Sequence, residues 1–293
     1  QALQSAERLA RLIDRARPPR PAEARAVRAE LAAALLGWRP AGDHRQLAHR
    51  AAALGLGVDA PLHVSVLRPR TAPASREERS QQLARAPAEI ESCLTVAALP
   101  FLAAIHERDL VIVAPWQAGE ALGAALDELA GEGLVLDMGV GRAAPSLDGL
   151  PRSWTDARFA VVQLAGADDG PADRPRTLAY DDFDLATTVV CDADGAALAA
   201  RRAALGDAAL DAPLRETLQA YLAHRLDVPS TAAALHLHPN SVRYRLQRIE
   251  RELGRSLDDP ATIANLYLAT LIDRAGAARD GQGNGRRPTP RGG

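Results

Sequence analysis

The sequence predicts an α+β chain in two folded parts, an α/β sheet domain followed by an all-helical domain. Three observations carry this. Between about residues 61 and 184, short apolar runs of strand character alternate with segments of helical period, in the order β-α-β-β-α-β-α-β. From residue 206 to 275 only the helical period remains. The chain has 293 residues, more than one domain usually needs, and its 47% hydrophobic and 25% charged residues are an ordinary globular mix.

Taken in order, residues 1–17 read as the end of a helix, with Leu3, Leu9, Leu12 and Ile13 at helical spacing, broken by the prolines from Pro18 to Pro21. Glu23 to Leu36 is a second helix with Val27, Leu31, Ala34 and Leu35 on one face. Arg45 to Leu54 is a third, closed by Gly55 and Gly57. Leu62 to Leu67 alternates as a strand, and Arg76 to Cys93 is helical. Thr95–Ala104 and Leu110–Ala114 are strands of a hairpin about the polar turn Ile105–Asp109. Gly119–Ala130 is a helix and Leu134–Val140 a strand, with Gly139 and Gly141 read as a bend at its end. Leu147–Leu164 is a helix, irregular near Pro151. A loop rich in Gly, Asp and Pro precedes a short strand, Thr177–Tyr180. Leu185–Leu205 is a connecting helix with a break near Gly195. The tail from Gly276 lacks apolar periodicity and is expected to be disordered.

Composition narrows the function classes. The net charge is -2, so any basic surface must be local. Lysine is absent and all 35 basic residues are arginine, so arginine position rather than identity carries information. Cys93 and Cys191 are read as two buried thiols of a reducing, cytoplasmic setting. No apolar run approaches the roughly 20 residues of a membrane span, and no signal peptide is visible. The chain starts at Gln1 and its first methionine is Met138, which reads as a processed or truncated product.

The helical part carries the sharpest pattern. Leu214, Leu218, Tyr221 and Leu222 give a first helix one apolar face. Ser230 is placed to cap a short second helix, Thr231–Leu235, whose alanines permit close approach. After the turn His236–His238, with Leu237 inward, Pro239 suits the first position of a third helix running to Leu253. On that helix Val242, Leu246, Ile249 and Leu253 fall on one side, and Asn240, Tyr244, Gln247, Arg248 and Arg251 on the other. Arg243 and Arg245 flank the two. Residues 238–255 hold five arginines against two glutamates, a local excess of three positive charges. Amide and guanidinium groups of this kind read base edges, and flanking arginines hold phosphates. The plainer interpretation is a solvated face of an ordinary bundle. The spacing of short helix, turn and proline-initiated helix argues for a helix-turn-helix.

The string from His238 to Pro260 resembles the C-terminal helix-turn-helix domain of the PucR/CdaR family of bacterial transcriptional regulators. His238, Asn240, Ser241, Val242, Arg243, Tyr244, Arg245, Leu246, Arg248, Ile249 and Glu250 match its motif, as do Gly254, Leu257, Asp258, Asp259 and Pro260. Pro239 departs from it. The resemblance covers about residues 22–275, weaker before 205 than after, and implies a GGDEF-like domain upstream. In active diguanylate cyclases a Gly-Gly-Asp-Glu-Phe hairpin approaches the nucleotide and its acids hold metal. Here His106, Glu107, Arg108, Asp109 and Leu110 stand in its place, and the strand His63–Leu67 lacks the aspartate expected of the other metal ligand.

The domain reading that follows is a helical region (1–57), a degenerate GGDEF-like domain (58–184), a connecting helix (185–212), a helix-turn-helix domain (213–275) and a tail (276–293). The expected function is transcription regulation through DNA contacts by Asn240, Ser241, Arg243, Tyr244, Arg245, Gln247, Arg248 and Arg251, with no catalysis, cofactor or metal. Double-stranded DNA is the expected partner, with a second or further copy of the chain on paired half-sites and no membrane. A small-molecule effector of unidentified chemistry is left open. Competing readings are a nucleotide-sensing or cyclase-like protein, carried by fold resemblance alone, and an interaction scaffold that never touches DNA. The aspartates at 168, 169, 173, 181, 182 and 184 read as a solvated loop, and His236 and His238 lack further ligands for zinc.

Overall fold

A computed structural model describes residues 21–39, 43–57, 60–70, 76–165, 171–203 and 210–280. In chain order the elements are α1 (Pro21–Leu35), α2 (His44–Ala53), β1 (Leu62–Pro69), α3 (Arg76–Val96), β2 (Leu102–His106), β3 (Asp109–Pro115), α4 (Ala118–Gly131), β4 (Leu136–Val140), α5 (Leu150–Ala165), β5 (Thr177–Ala179), α6 (Leu185–Asp192), α7 (Gly195–Ala203), α8 (Ala212–Ala223), α9 (Val228–Ala234), α10 (Pro239–Leu253) and α11 (Pro260–Asp280). The helix expected over the first 17 residues lies outside the described residues, as does part of the Gly/Asp/Pro loop.

The strands form one sheet in the order β2-β3-β1-β4-β5, antiparallel except for the β4–β5 pair. Helices cover both faces. Leu31 and Leu35 of α1, Leu47 of α2 and Trp154 and Ala157 of α5 pack on Val64, Val66 and Leu102. On the other face Ile90 and Leu94 of α3 and Leu122, Leu126 and Leu129 of α4 meet Leu110, Ile112 and Met138. Central β1 is therefore buried along nearly its whole length rather than on alternate residues.

Three expectations need correction. Val27 is 46% exposed, and the core stripe of α1 runs instead through Leu31, Ala32, Leu35 and Leu36. The first hairpin strand begins at Leu102, because Thr95 and Val96 complete α3, where the Thr95 hydroxyl donates to the Glu91 carbonyl at 2.6 Å. Gly139 and Gly141 mark a close helix approach rather than a bend. A Cβ on Gly139 would sit 2.1 Å from the Ala157 carbonyl oxygen, and one on Gly141 1.8 Å from that of Ser153. Backbone lies against backbone there, and the buried Ser153 hydroxyl accepts the Val64 N–H at 3.1 Å.

The β2–β3 hairpin turns at Glu107 and Arg108, with Glu107 at φ 57°. Asp109 begins β3 and is buried against Arg68 of β1, whose Nε and Nη2 donate to its two oxygens at 2.7 and 2.6 Å.

Helix α11 belongs to both parts of the chain. Its Leu266 lies in the core of the helical part. Further along, Leu271 and Ala275 pack with Phe159 of α5 and Val190 and Cys191 of α6. The helix continues to Asp280, past Gly276, so the start of the expected tail is helical; residues 281–293 lie outside the described residues. The connecting segment is two helices, separated near Gly195 as the sequence suggests. Cys191 is buried, but Cys93 is only partly so, its thiol donating to the Ala121 carbonyl at 3.2 Å. Among the described residues no helix is long and apolar enough to cross a membrane.

The glycine contacts lead to a stability comparison. Gly141→Ala or Gly139→Ala should lower the unfolding free energy by about 1–3 kcal/mol or more, since rigid backbone must move. Gly123→Ala, inside α4 with open space at its Cβ, should raise it by about 1 kcal/mol. Denaturant midpoints of the three variants check this ordering.

Candidate nucleic-acid interface

Helices α8, α9 and α10 form the expected trio, each started by a local signal. The Asp211 carboxylate accepts the Leu214 N–H at 3.0 Å and caps α8. Asp227, not Ser230, caps α9: its carboxylate accepts the Ser230 N–H at 2.7 Å, and the helix begins at Val228. Ser230 is thus inside the first turn, with Pro229 beside it, a place where proline's missing N–H costs nothing. The turn to α10 uses His236 at φ 53°, and Leu237 folds back so that its N–H reaches the Ala232 carbonyl at 2.8 Å. His238 caps α10 through Nδ1, which accepts the Asn240 N–H at 3.2 Å, and Pro239 follows at the first position. Gly254, left-handed at φ 64°, ends the helix at the expected residue.

The apolar side of α10 is anchored. Val242, Leu246 and Ile249 are buried with Leu214, Leu218 and Ala232, and the small Ala232 lets α9 lie close to α10. Thr217, fully buried, donates to the Pro213 carbonyl at 2.7 Å and accepts from Arg245 Nη1 at 3.1 Å. Arg245 therefore ties α10 to α8 and is half-buried.

The other side faces solvent. Asn240, Ser241, Arg243, Tyr244, Gln247, Arg248 and Arg251 are all exposed, and Tyr244 is 62% so despite its size. Arg243 Nη1 donates to the Asn240 side-chain oxygen at 2.9 Å, and Arg251 Nε to the Gln247 carbonyl at 3.3 Å. Arg248 is held from two sides, by Asp211 at 3.1 Å and Glu252 at 2.9 Å. Glu250 turns away to bind the Ser256 hydroxyl and the Leu257 N–H, shaping the loop into α11. A groove runs between the start of α8 and α10, lined by Asp211, Pro213, Asn240, Tyr244 and Arg248. Asp211 is the residue that sequence reasoning missed here. Its position before Pro213 reads as a helix cap, but its pairing with Arg248 depends on how the helices cross.

The β2–β3 hairpin, which the sequence resemblance sets against the cyclase hairpin, holds its acids differently. Its tip presents Glu107 and Arg108, and its remaining acid, Asp109, is buried and neutralised by Arg68. Among the described residues no group of three or more His, Cys, Asp and Glu is arranged to hold a metal ion. Asp182 and Asp184 of the acidic stretch serve the backbone instead, accepting the N–H groups of Ala179 and Thr187.

Comparison with known proteins places these two regions. Residues 214–272 match the PucR C-terminal helix-turn-helix domain, and residues 20–162 match a GGDEF-like domain. The purine catabolism regulatory protein of Bacillus subtilis (strain 168) is 42% identical over 64 residues, 22% of this chain and 12% of that protein. An uncharacterized protein in the pkwA 5' region of Thermomonospora curvata is 52% identical over 56 residues, 19% of this chain and 31% of that protein. The matched region thus spans less than a third of the length of either relative. The crystal structure of a regulator of polyketide synthase expression from Bifidobacterium adolescentis is 20% identical, with a TM-score of 0.40 over 87% of this chain and 99% of that one.

The aspartate caps make this helical unit sensitive to acid. Hydrogen bonds with Ser230 hold the Asp227 carboxyl below the ordinary carboxylate range. Thr262 and the Ala261 N–H do the same for Asp259, which caps α11. Carboxyls lowered on folding add stability above their unfolded pKa of about 4, and it is lost as pH falls through the folded value. Asp227→Asn and Asp259→Asn keep a capping oxygen but no titration. Thermal midpoints measured between neutral pH and pH ~3 should fall less steeply in both variants than in the parent chain.

Proposed function

We infer from its place among PucR/CdaR-type regulators, with a GGDEF-like domain followed by a PucR helix-turn-helix domain, that this chain binds double-stranded DNA and controls transcription. The observation that carries the reading is α10: its apolar side is locked into the trio while seven polar or aromatic side chains are exposed on the other. A helix so mounted enters the major groove with its exposed face against base edges. Asn240 and Gln247 have the donor–acceptor pair that suits adenine, and Arg248 suits guanine. Tyr244 and Ser241 complete the central strip. Arg251 extends it, and Arg243 and Arg245 border it and serve the phosphates.

Binding requires one rearrangement within the face. Arg248 must leave Asp211 and Glu252 to reach a base. Exposed pairs of this kind are worth about 0–1 kcal/mol, less than the ~1–3 kcal/mol of a good bidentate base contact, so the exchange favours DNA. One helix reads only a few base pairs, so two copies acting on paired half-sites complete the recognition unit. The GGDEF-like domain then acts as a regulatory or dimerising module without cyclase chemistry, because its one buried hairpin acid is already neutralised by Arg68.

Three measurements test this. Arg248→Ala and Gln247→Ala should each weaken binding to the specific site by about 1–3 kcal/mol and relax base preference; unchanged gel shifts in both would remove α10 as the reading helix. Arg243→Ala should weaken all sequences alike and reduce the slope of log K against log salt by about 1. Arg245→Ala should do so too, with a lower thermal midpoint because Thr217 loses its donor. Incubation of the whole chain with GTP and magnesium should give no cyclic dinucleotide, and its appearance would overturn the non-catalytic reading.

A further inference from the structure

The turn end of the β2–β3 hairpin, on the sheet face covered by α5 and α1, holds a cluster that DNA binding does not use. The Arg158 side chain is 5% exposed, yet its Nε and Nη1 are buried without an acceptor among the described residues. Its Nη2 reaches Glu107 only at 3.5 Å, the outer limit of a hydrogen bond. The indole N–H groups of Trp154, fully buried, and of Trp38 are likewise without acceptors. These groups are contiguous. Trp38 stacks on His106 with ring centroids 4.2 Å apart, Trp154 meets both rings at 5.3 Å, and the Arg158 guanidinium lies 5.2 Å from the Trp154 ring.

All the unsatisfied atoms are donors and one group is cationic. Buried polar groups in folded proteins are normally paired, and the complement of neighbouring donors beside a guanidinium is an acceptor-only, negatively charged group. The acids nearby do not supply it. Asp109 is committed to Arg68. Glu107 sits at the hairpin tip, half exposed and poorly placed. A groove between α1 and β2 opens beside the cluster, lined by Trp38, His106, Arg39 and the small side chains of Ala29 and Ala33. Glu30 lines it as well as Arg39, so the groove is mixed in charge, and its Trp38 and His106 walls are the rings that lead to Trp154 and, behind it, Arg158.

We propose that this cluster is a binding site for a small oxyanion-bearing metabolite, held by Arg158 and the indole N–H groups of Trp38 and Trp154, with Glu107 turned out to solvent. Carboxylate and phosphate share the required chemistry. Neither the site nor its test depends on the DNA-binding reading.

The chain has three tryptophans, of which two belong to the cluster, so intrinsic fluorescence reports on it directly. The third, Trp116, is 64% exposed and is removed in a Trp116→Phe background. The full chain is titrated with sodium succinate and with inorganic phosphate, against sodium chloride at matched ionic strength. A saturable fluorescence change with succinate assigns the site to carboxylates, and one with phosphate alone assigns it to phosphate esters. Arg158→Met removes the cation and should weaken the response at least about tenfold. Glu107→Gln, at an exposed turn, should tighten it severalfold by removing the competing carboxylate, and this variant gives a reading even where Arg158→Met fails to fold. Responses to both anions that match chloride, or an anion affinity unmoved in the folded Arg158→Met and Glu107→Gln variants, would overturn the proposal.

Discussion

Helix α5 rests directly on β4, and the bare Cα positions of Gly139 and Gly141 allow it. Much of the architecture depends on that contact. With the helix this close, the Ser153 hydroxyl reaches the β1 backbone and Trp154 and Ala157 enter the core below. The same approach buries Asp156 completely, a position where a carboxylate needs a partner. Arg142, just beyond β4, supplies it: its Nε lies 2.5 Å and its Nη2 3.2 Å from the Asp156 oxygens. Arg142 also binds Asp192 of α6 and covers the Tyr180 ring at 4.0 Å. The Cys191 thiol donates to Asp156 at 3.1 Å, and burial, with the carboxylate beside it, pushes its pKa up to about 12. This thiol is thus a packing group rather than a nucleophile.

The outer side of α5 joins the two halves of the chain. Phe159 points away from the sheet into the cluster with Val190, Cys191, Leu271 and Ala275, where α11 docks. Two kinds of interaction cross this junction. Arg202 pairs with Asp273 at 2.7 Å and the Tyr267 hydroxyl reaches Asp184 at 3.5 Å, both at the surface. Pairs of that kind contribute about 0–1 kcal/mol, whereas burying one large apolar side chain contributes about 1.5–3 kcal/mol. Phe159 and Leu271 therefore hold the junction more than the charges do. Since α11 also carries Leu266 into the core beneath α10, the placement of α10 is tied to the sheet domain. A dimer formed through either half would inherit that placement.

What could be read in the sequence was what depends on neighbours along the chain. Pro239 and the Val242–Leu246–Ile249–Leu253 stripe located α10 from end to end, and the β-α-β-β-α-β-α-β order emerged intact. Features that depend on residues far apart were misread. Gly139 and Gly141 looked like a bend because only the docked helix reveals the steric demand. Val27 fits a helical stripe, but α1 meets the sheet one face further round. Asp227 and Ser230 are both good caps, and a shift of three positions separates two phases of the same helix. Arg245 follows the motif, but its bond to Thr217 appears only when α8 crosses α10. The cluster around Arg158 was invisible for the same reason, as Trp38, His106 and Trp154 come from three separate elements.

The two buried arginines at the hairpin show what this sheet domain has become. Arg68 meets Asp109 with both oxygens matched, so neither charge is left over. Breaking such a pair costs about 3–5 kcal/mol, and Asp109 is correspondingly unavailable to a metal. Arg158, on the adjoining helix, has no such match: burial lowers its pKa from the ordinary arginine value, and Glu107 and Asp109 only partly oppose that. An arginine keeps its proton under these conditions, so the unsatisfied charge persists in the fold. A residue on a helix this tightly packed could be replaced by an apolar one of similar volume at little cost or with gain. Stability therefore gives no reason for a cation at position 158, and an anion in the adjoining groove does.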